Sequence, residues 1–256
     1  MFSGKPKHSL QMSVILFLLL AFCSEIAGTV AGFGSSVFFV PLAGFFFDFH
    51  EVLALTSILH VFSNAAKLIL FRSHVQWRLL FLLGIPSTIF VILGAYLSTR
   101  LEFRYTELIL GLFLIAFSTF FLLRPEVKLS PRPLNAITAG GAAGFLAGLI
   151  GTGGAIGGLA LGAFDLEKNV FVATSAAIDS GVDFSRMIVY LRSGFLTAES
   201  FWLIPALLVL AFAGSYAGKV LLNKIRQESF RKIVLILVLL IGITTLGGFI
   251  RHLIAP

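Results

Sequence analysis

His60, Asn64 and Lys67 stand at i, i+4 and i+7, and Asp179, Asp183 and Arg186 repeat that spacing. At helical periodicity each trio falls on one face of one helix. Both trios sit inside long apolar runs, where an ionised side chain near the helix centre costs about 2.5–3.5 kcal/mol on membrane-insertion scales. Two such faces are therefore not expected to point at lipid. Glu25, in another apolar run and seven residues before Gly32, adds one more buried carboxylate. The chemistry within reach of this set is the handling of charge. Lys67 and Arg186 can offset an anion, and a carboxylate can take up and release a proton. Asp183 and Arg186, at i and i+3, can neutralise each other. Asp179 has no basic residue one turn away, so Asp179 and Glu25 are the proton-coupling candidates. Lys67 and Arg186 lie near the expected ends of their helices, where snorkelling towards the interface is the plainer alternative.

Two glycine steps occur at matching places, Gly32-Phe33-Gly34-Ser35-Ser36 and Gly151-Thr152-Gly153-Gly154-Ala155. Each glycine costs a helix about 1 kcal/mol relative to alanine. The runs that contain the steps, 12–47 and 134–165, are too long for one span and too short for two with a loop. A membrane helix that breaks at the glycines and resumes as a shorter piece, or turns back, fits that length. Close helix packing through small residues is the competing reading. A half-helix that starts inside the membrane presents unpaired N–H groups and the positive end of its dipole, which suits an anion. Ser35 and Ser36 are natural N-caps for the resumed segment, and Gly153-Gly154 allow close approach to backbone. The expected substrate site thus comprises Gly32, Gly34, Ser35, Ser36, Gly151, Thr152, Gly153, Gly154, His60, Asn64, Lys67, Asp183 and Arg186. Both breaks are expected near the bilayer midplane, facing each other.

The elements that must position these groups follow from composition. The 256 residues are 58% hydrophobic and 12% charged, against about 25% charged in soluble domains. Apolar runs recur near the roughly 20 residues that a spanning helix needs. The alternating segments of a β-barrel do not appear. The net charge of +7 belongs to Lys and Arg placed between the apolar runs, which suits lipid headgroups and not nucleic acid. Cys23 is the single cysteine, so no intramolecular disulfide can form. Lys5, Lys7 and His8 before the run 14–22 have the look of a signal peptide. Phe22 is too bulky for the cleavage site and the run continues, so a first membrane helix is expected.

Further helices are expected near 52–71, 78–98, 106–123, 170–191, 200–222 and 231–250. An offset of 119 or 120 pairs Gly32-Phe33-Gly34 with Gly151-Thr152-Gly153 and Arg72-Ser73 with Arg192-Ser193. It also pairs Pro86 with Pro205 and Gly94-Ala95-Tyr96 with Gly214-Ser215-Tyr216. Four matches in order at a near-constant offset indicate an internal duplication. The expected fold is an all-α polytopic membrane protein. It has two homologous repeats of about four hydrophobic segments, 1–123 and 134–256, each opening with a glycine-broken helix. A polar, proline-rich linker, 124–133, is the seam.

These repeated Gly-x-Gly elements, Pro41-Leu42 after the first, and the Thr56-Ser57 and Thr174-Ser175 pairs resemble the TauE/SafE family of sulfite and organosulfonate transporters. The four-segment repeat and the length do so too, over roughly residues 12–250. The chain departs from the family pattern at Gly34-Ser35-Ser36, where more consecutive glycines are usual, and at Ala160-Leu161, in place of Pro-Leu. The resemblance implies a multi-pass carrier of small anions in the cell inner membrane, commonly for sulfite or a sulfonate such as sulfoacetate, often working outward.

The expected function is therefore secondary transport of a small anion, probed against two other classes. A divalent-cation carrier built on Asp179, Asp183, His60 and Asn64 is the main alternative, although the chain has no dense cluster of hard or nitrogen ligands. An intramembrane serine protease would use Ser35 or Ser36 with His60, but the Gly-x-Ser-x-Gly elbow is missing. No catalytic residues, cofactor or resident metal are expected. The expected partners are the small anion and membrane lipid, with no nucleic acid; a homo-oligomer is compatible with the sequence.

Overall fold

The computed structural model describes residues 7–31, 34–71, 74–101, 103–124, 132–162, 164, 166–222 and 224, and part of 235–249. Every element among them is helical. In chain order these are α1 (Lys7–Ala31), α2 (Ser36–Ala43), α3 (Phe49–Phe71), α4 (Trp77–Ser98), α5 (Phe103–Leu123), α6 (Pro133–Ile150), α7 (Gly154–Gly162), α8 (Lys168–Arg192) and α9 (Leu203–Leu222). The described residues between 235 and 249 are also helical. Most of the linker, 125–131, and much of the last expected span lie outside the described residues, as do Gly32 and Phe33.

Among the described residues five helices are long and apolar enough to cross a bilayer: Met12–Val30 within α1, α3, α4, α6 and α9. Their outer faces carry the large exposed apolar side chains, such as Ile15, Leu16 and Leu19 on α1, Ile89, Ile92 and Leu93 on α4, and Val209 and Phe212 on α9. A water-soluble protein does not display apolar surface on this scale. Lipid does cover it in a multi-pass membrane protein, and aromatic residues such as Trp77, Tyr96 and Trp202 stand at helix ends as interfacial anchors do. α1 begins at Lys7 and runs through Phe22 to Ala31, a single helix well beyond a signal-peptide core.

α8 is not in the apolar set, because it carries Asp179, Asp183 and Arg186. It is wrapped by protein, packing against α3 and α4, while α3 packs also on α9. Glycines set how near the outer helices come. A Cβ placed on Gly144 or Gly148 of α6 would lie 2.0 Å from the Ser87 carbonyl oxygen or 2.1 Å from that of Val91. The α4–α6 backbones therefore touch, a small-xxx-small contact that dispersion stabilises without any hydrophobic drive between helices. On the other side α9 lies along α1, with Gly214 against Glu25 and Gly218 against Thr29.

Pro86 and Pro205 sit differently in their helices. Pro205 falls in the first turn of α9, where a missing N–H breaks no helical bond. Pro86 falls inside α4, where it would leave the carbonyl four residues back without a donor. There Leu80–Gly84 widen into a π-turn before the helix resumes at Ile85.

Candidate functional site

α6 ends at Ile150 and its cap, Gly151, takes the left-handed φ of +78°. Gly34, between α1 and α2, takes φ of +79°. Side-chain-bearing residues pay for that conformation, so the chain can change direction cheaply at these two positions. The two steps lie against each other: a Cβ on Gly34 would stand 3.7 Å from the Gly154 Cα. Gly153 is pressed onto α6, with 1.9 Å between its would-be Cβ and the Ala143 carbonyl oxygen. Thr152 is fully buried, and its Oγ1 has no hydrogen-bond partner among the described residues.

The expected serine N-cap bond is not made. Ser35 has helical backbone angles and no side-chain cap bond to α2. Its hydroxyl is taken by stronger partners, donating to Glu25 Oε1 and lying 2.7 Å from His60 Nε2. The rotamer that aims this hydroxyl at the carboxylate is favoured because charge-assisted hydrogen bonds are roughly twice as strong as neutral ones.

Beneath the glycine steps the polar stripes of α3 and α8 face each other and hold two ion pairs. Arg186, 1% exposed, donates from Nη2 to Asp183 Oδ1 at 2.7 Å. From Nη1 it donates to the carbonyls of Ala147 at 3.1 Å and Gly151 at 2.9 Å. It therefore satisfies open carbonyls at the end of α6 and does not snorkel. Asn64 Nδ2 donates to the other Asp183 oxygen at 2.7 Å. The second pair is Lys67 and Glu25, with Nζ 3.4 Å from Oε2. Lys67 is 8% exposed, so it too is drawn inward and not to the interface. Glu25, 0% exposed, also accepts from Ser63 Oγ.

His60 joins the pairs. Arg186 Nη2 lies 3.1 Å from His60 Nδ1. A guanidinium has only donors, so Nδ1 accepts and the ring proton sits on Nε2, facing Ser35. The hydrogen bonds then run one way, from Arg186 to His60 to Ser35 to Glu25. That sense is wrong for a serine nucleophile, whose proton a histidine must accept. Glu25 sits directly on the serine, while Asp183, 3.7 Å from His60 Nδ1, leaves that nitrogen to the Arg186 donor, so the protease arrangement is not assembled here.

A cavity of about 50 Å³ opens among these groups, where one water takes about 10–15 Å³ on the same measure. Gly34, Ser35, Ser36, His60, Asn64, Lys67, Gly151, Gly153, Gly154, Asp179, Asp183 and Arg186 all line it. Of the residues singled out from sequence, Glu25 and Thr152 stand behind this wall. Asp179 accepts from Ser175 Oγ at 3.0 Å and has no cation within salt-bridge distance among the described residues. A second, smaller cavity of about 20 Å³ shares Gly34, Asn64, Lys67, Ser175 and Asp179 with it and reaches Phe171 and Val172 near the N-terminal end of α8. In the other direction Tyr190, 0% exposed, closes the stripe with its hydroxyl on the Gly148 carbonyl.

No group of three or more His, Cys, Asp or Glu side chains among the described residues could hold a metal ion. Asp183 and Glu25 are each taken up by a cation and by hydroxyl or amide donors, which leaves a divalent ion few free oxygens. Ser63, Ser175 and Tyr190 are not among the site residues expected from sequence, yet each belongs to a polar stripe: Ser63 at i+3 from His60, Ser175 at i−4 from Asp179, Tyr190 at i+4 from Arg186.

A helical, lipid-exposed shell around a buried, charged, water-sized cavity defines a multi-pass membrane transporter. The chain belongs to the sulfite exporter TauE/SafE family, whose sequence profile matches residues 16–245. It is also 25% identical over 225 residues to a protein of Methanocaldococcus jannaschii described as a probable membrane transporter, covering 80% of this chain and 83% of that one. No solved structure matches it.

Proposed function

We propose that the protein is a secondary transporter of a small oxyanion across the cell inner membrane, with sulfite or an organosulfonate such as sulfoacetate as cargo and export as its direction. The observation that carries this reading is the cavity where the two glycine steps meet the α3 and α8 stripes. It holds two cations, several hydroxyls and open backbone, in a volume matched to a few waters. Anion carriers need such a place, because a desolvated oxyanion demands both positive charge and hydrogen-bond donors. The family membership supports sulfite as the first cargo to test.

In this reading the protein consists of two repeats joined by the 124–133 linker, and the site is formed between them. The reciprocal packing of α4 on α6 and of α9 on α1 supports it, as does the pairing of α3 with α8. Each outer helix of one half lies on the opening helix of the other, as expected of two copies related by a pseudo-two-fold axis. The substrate site would comprise Gly32, Gly34, Ser35, Ser36, His60, Asn64, Lys67, Gly151, Thr152, Gly153, Gly154, Asp183 and Arg186, with Asp179 and Glu25 as the carboxylates that respond to protons.

The test is uptake and efflux in proteoliposomes with sulfite, sulfoacetate, sulfate and formate. Saturable movement of sulfite or sulfoacetate, competed by the other and absent from protein-free vesicles, is the expected result. Movement of none of the four would overturn the reading.

A further inference from the structure

The two buried ion pairs differ in how many bonds hold them. Arg186 is committed: both Nη atoms are engaged, on two carbonyls, Asp183 and His60, and only Nε lacks a partner. Lys67 makes one contact among the described residues, to Glu25 at 3.4 Å, and its ammonium has three donors. Lys67 lines the cavity and Glu25 does not. Glu25 for its part does not depend on Lys67, because Ser35 and Ser63 both donate to it.

We infer that Lys67 is the cation that meets the transported anion, and that Glu25 is a built-in competitor that holds Lys67 while the cavity is empty. Cargo entering beside Lys67 takes over its ammonium. Glu25 stays satisfied by the two hydroxyls and by the chain of donors running from Arg186 through His60 to Ser35. No comparable exchange is open to Arg186, whose withdrawal would leave the Ala147 and Gly151 carbonyls and Asp183 unpaired together. Arg186 is thus a positioning residue that fixes the end of α6 and orients His60. This inference rests on the anion-transport reading.

The groups around the pair are few. From α3 they are His60, Ser63 and Lys67 itself. α9, packed behind Glu25, presents Gly214, Gly218 and Ser215, none of them charged. From α8, Asp183 and Arg186 reach His60, and Asp179 stands across the cavity within electrostatic reach of Lys67. α2 carries no charged residue. The exchange is therefore between Glu25 and the incoming anion, with Asp179 the remaining charge that Lys67 feels.

Equilibrium binding of radiolabelled sulfite to the purified full-length protein tests this. Glu25→Gln still accepts from one hydroxyl through its carbonyl oxygen, donates from its amide to the other, and removes the competing charge, so sulfite should bind about tenfold more tightly. Lys67→Met should weaken binding about a hundredfold or more, and the Glu25→Gln/Lys67→Met double variant should match Lys67→Met alone, because Glu25 acts only through Lys67. Ser63→Ala, which strips a donor from Glu25 and leaves it more dependent on Lys67, should weaken binding several-fold. The opposite signs at Glu25 and Ser63 distinguish competition from structural damage; if Glu25→Gln fails to fold, the Ser63→Ala effect measured with and without Lys67→Met carries the test, since competition requires it to vanish when Lys67 is absent and damage does not. Lys67→Met binding sulfite as wild type does would overturn the inference while leaving the transport reading intact. So would Glu25→Gln tightening binding equally with Lys67 absent. A wild-type protein that binds none of sulfite, sulfoacetate, sulfate and formate would overturn both.

Discussion

Asn64 Nδ2 donates to Asp183 Oδ2 across 2.7 Å, and the two residues are 119 positions apart. That separation is the offset that superposes one polar stripe on the other, so under the proposed duplication the contact would join equivalent residues of the two halves. Equivalent residues meet only on or beside a pseudo-two-fold axis, which would make this hydrogen bond the centre of the proposed site. Asn64→Asp sets two carboxylates against each other and should lower thermal stability in detergent by an amount worth about 1–3 kcal/mol. The reciprocal Asn64→Asp/Asp183→Asn protein should recover part of that loss. Strictly additive losses in the double variant would show that the two side chains are not coupled.

Arg186 bridges three kinds of acceptor at once: the carbonyls at the end of α6, the Asp183 carboxylate and His60. Removing one member of a buried charge pair costs about 3–5 kcal/mol. Arg186→Ala should therefore insert but unfold at a lower temperature and transport nothing. Arg186→Lys should not rescue it, because a point ammonium cannot reproduce the guanidinium fork. The measurement is unfolding temperature alongside sulfite uptake, and wild-type values for Arg186→Lys would refute the tie to α6.

The α4–α6 seam predicts a different kind of damage. A methyl on Gly144 would stand 2.0 Å from the Ser87 carbonyl oxygen, and the helices must separate to admit it. Overpacking of this kind costs about 1–3 kcal/mol. Gly162→Ala, with nothing within 4 Å of its would-be Cβ, is the matched control. Gly144→Ala should yield less folded protein, measured by fluorescence-detected size exclusion, whereas Gly162→Ala should match wild type.

Much of the helix pattern was readable from spacing, and the structure explains where reading stopped. The i, i+4, i+7 stripes point to one face each because helical periodicity is local. Snorkelling of Lys67 and Arg186 could not be dismissed from sequence, since position near a helix end is all the chain reveals. The partners that draw them inward, Glu25 and the α6 carbonyls, come from remote helices. Ser35 does stand at the N-cap of α2, but its side chain makes no cap bond, for the same reason: its hydroxyl is drawn to a carboxylate ten residues away. Tyr190 is reached by extending the α8 stripe one turn, and Ser63, at i+3 from His60, by widening the α3 stripe by one residue. The Gly140-Gly144-Gly148 seam was not anticipated, because its partner helix is fixed by packing alone.

Asp179 supports the last prediction. It lines the cavity, accepts one hydrogen bond from Ser175, and has no salt-bridge partner among the described residues. An ionised Asp179 would repel an anion in the same cavity. Two unit charges about 6 Å apart at an effective dielectric constant near 20 repel by about 3 kcal/mol, or roughly a hundredfold in occupancy. Protonation removes that repulsion, so transport of the anion should rise as pH falls through the range in which Asp179 gains its proton. Asp179→Asn holds the side chain permanently neutral, and its transport rate should be high and flat over that range. Asp183→Asn, by contrast, releases the tether on Arg186, and its expected effect is lower affinity with the pH response retained. Initial rates in proteoliposomes across imposed pH gradients separate the two. An Asp179→Asn protein that keeps the wild-type pH response and still accumulates sulfite against its gradient would exclude this residue and leave Glu25 as the carboxylate to which proton coupling must be assigned.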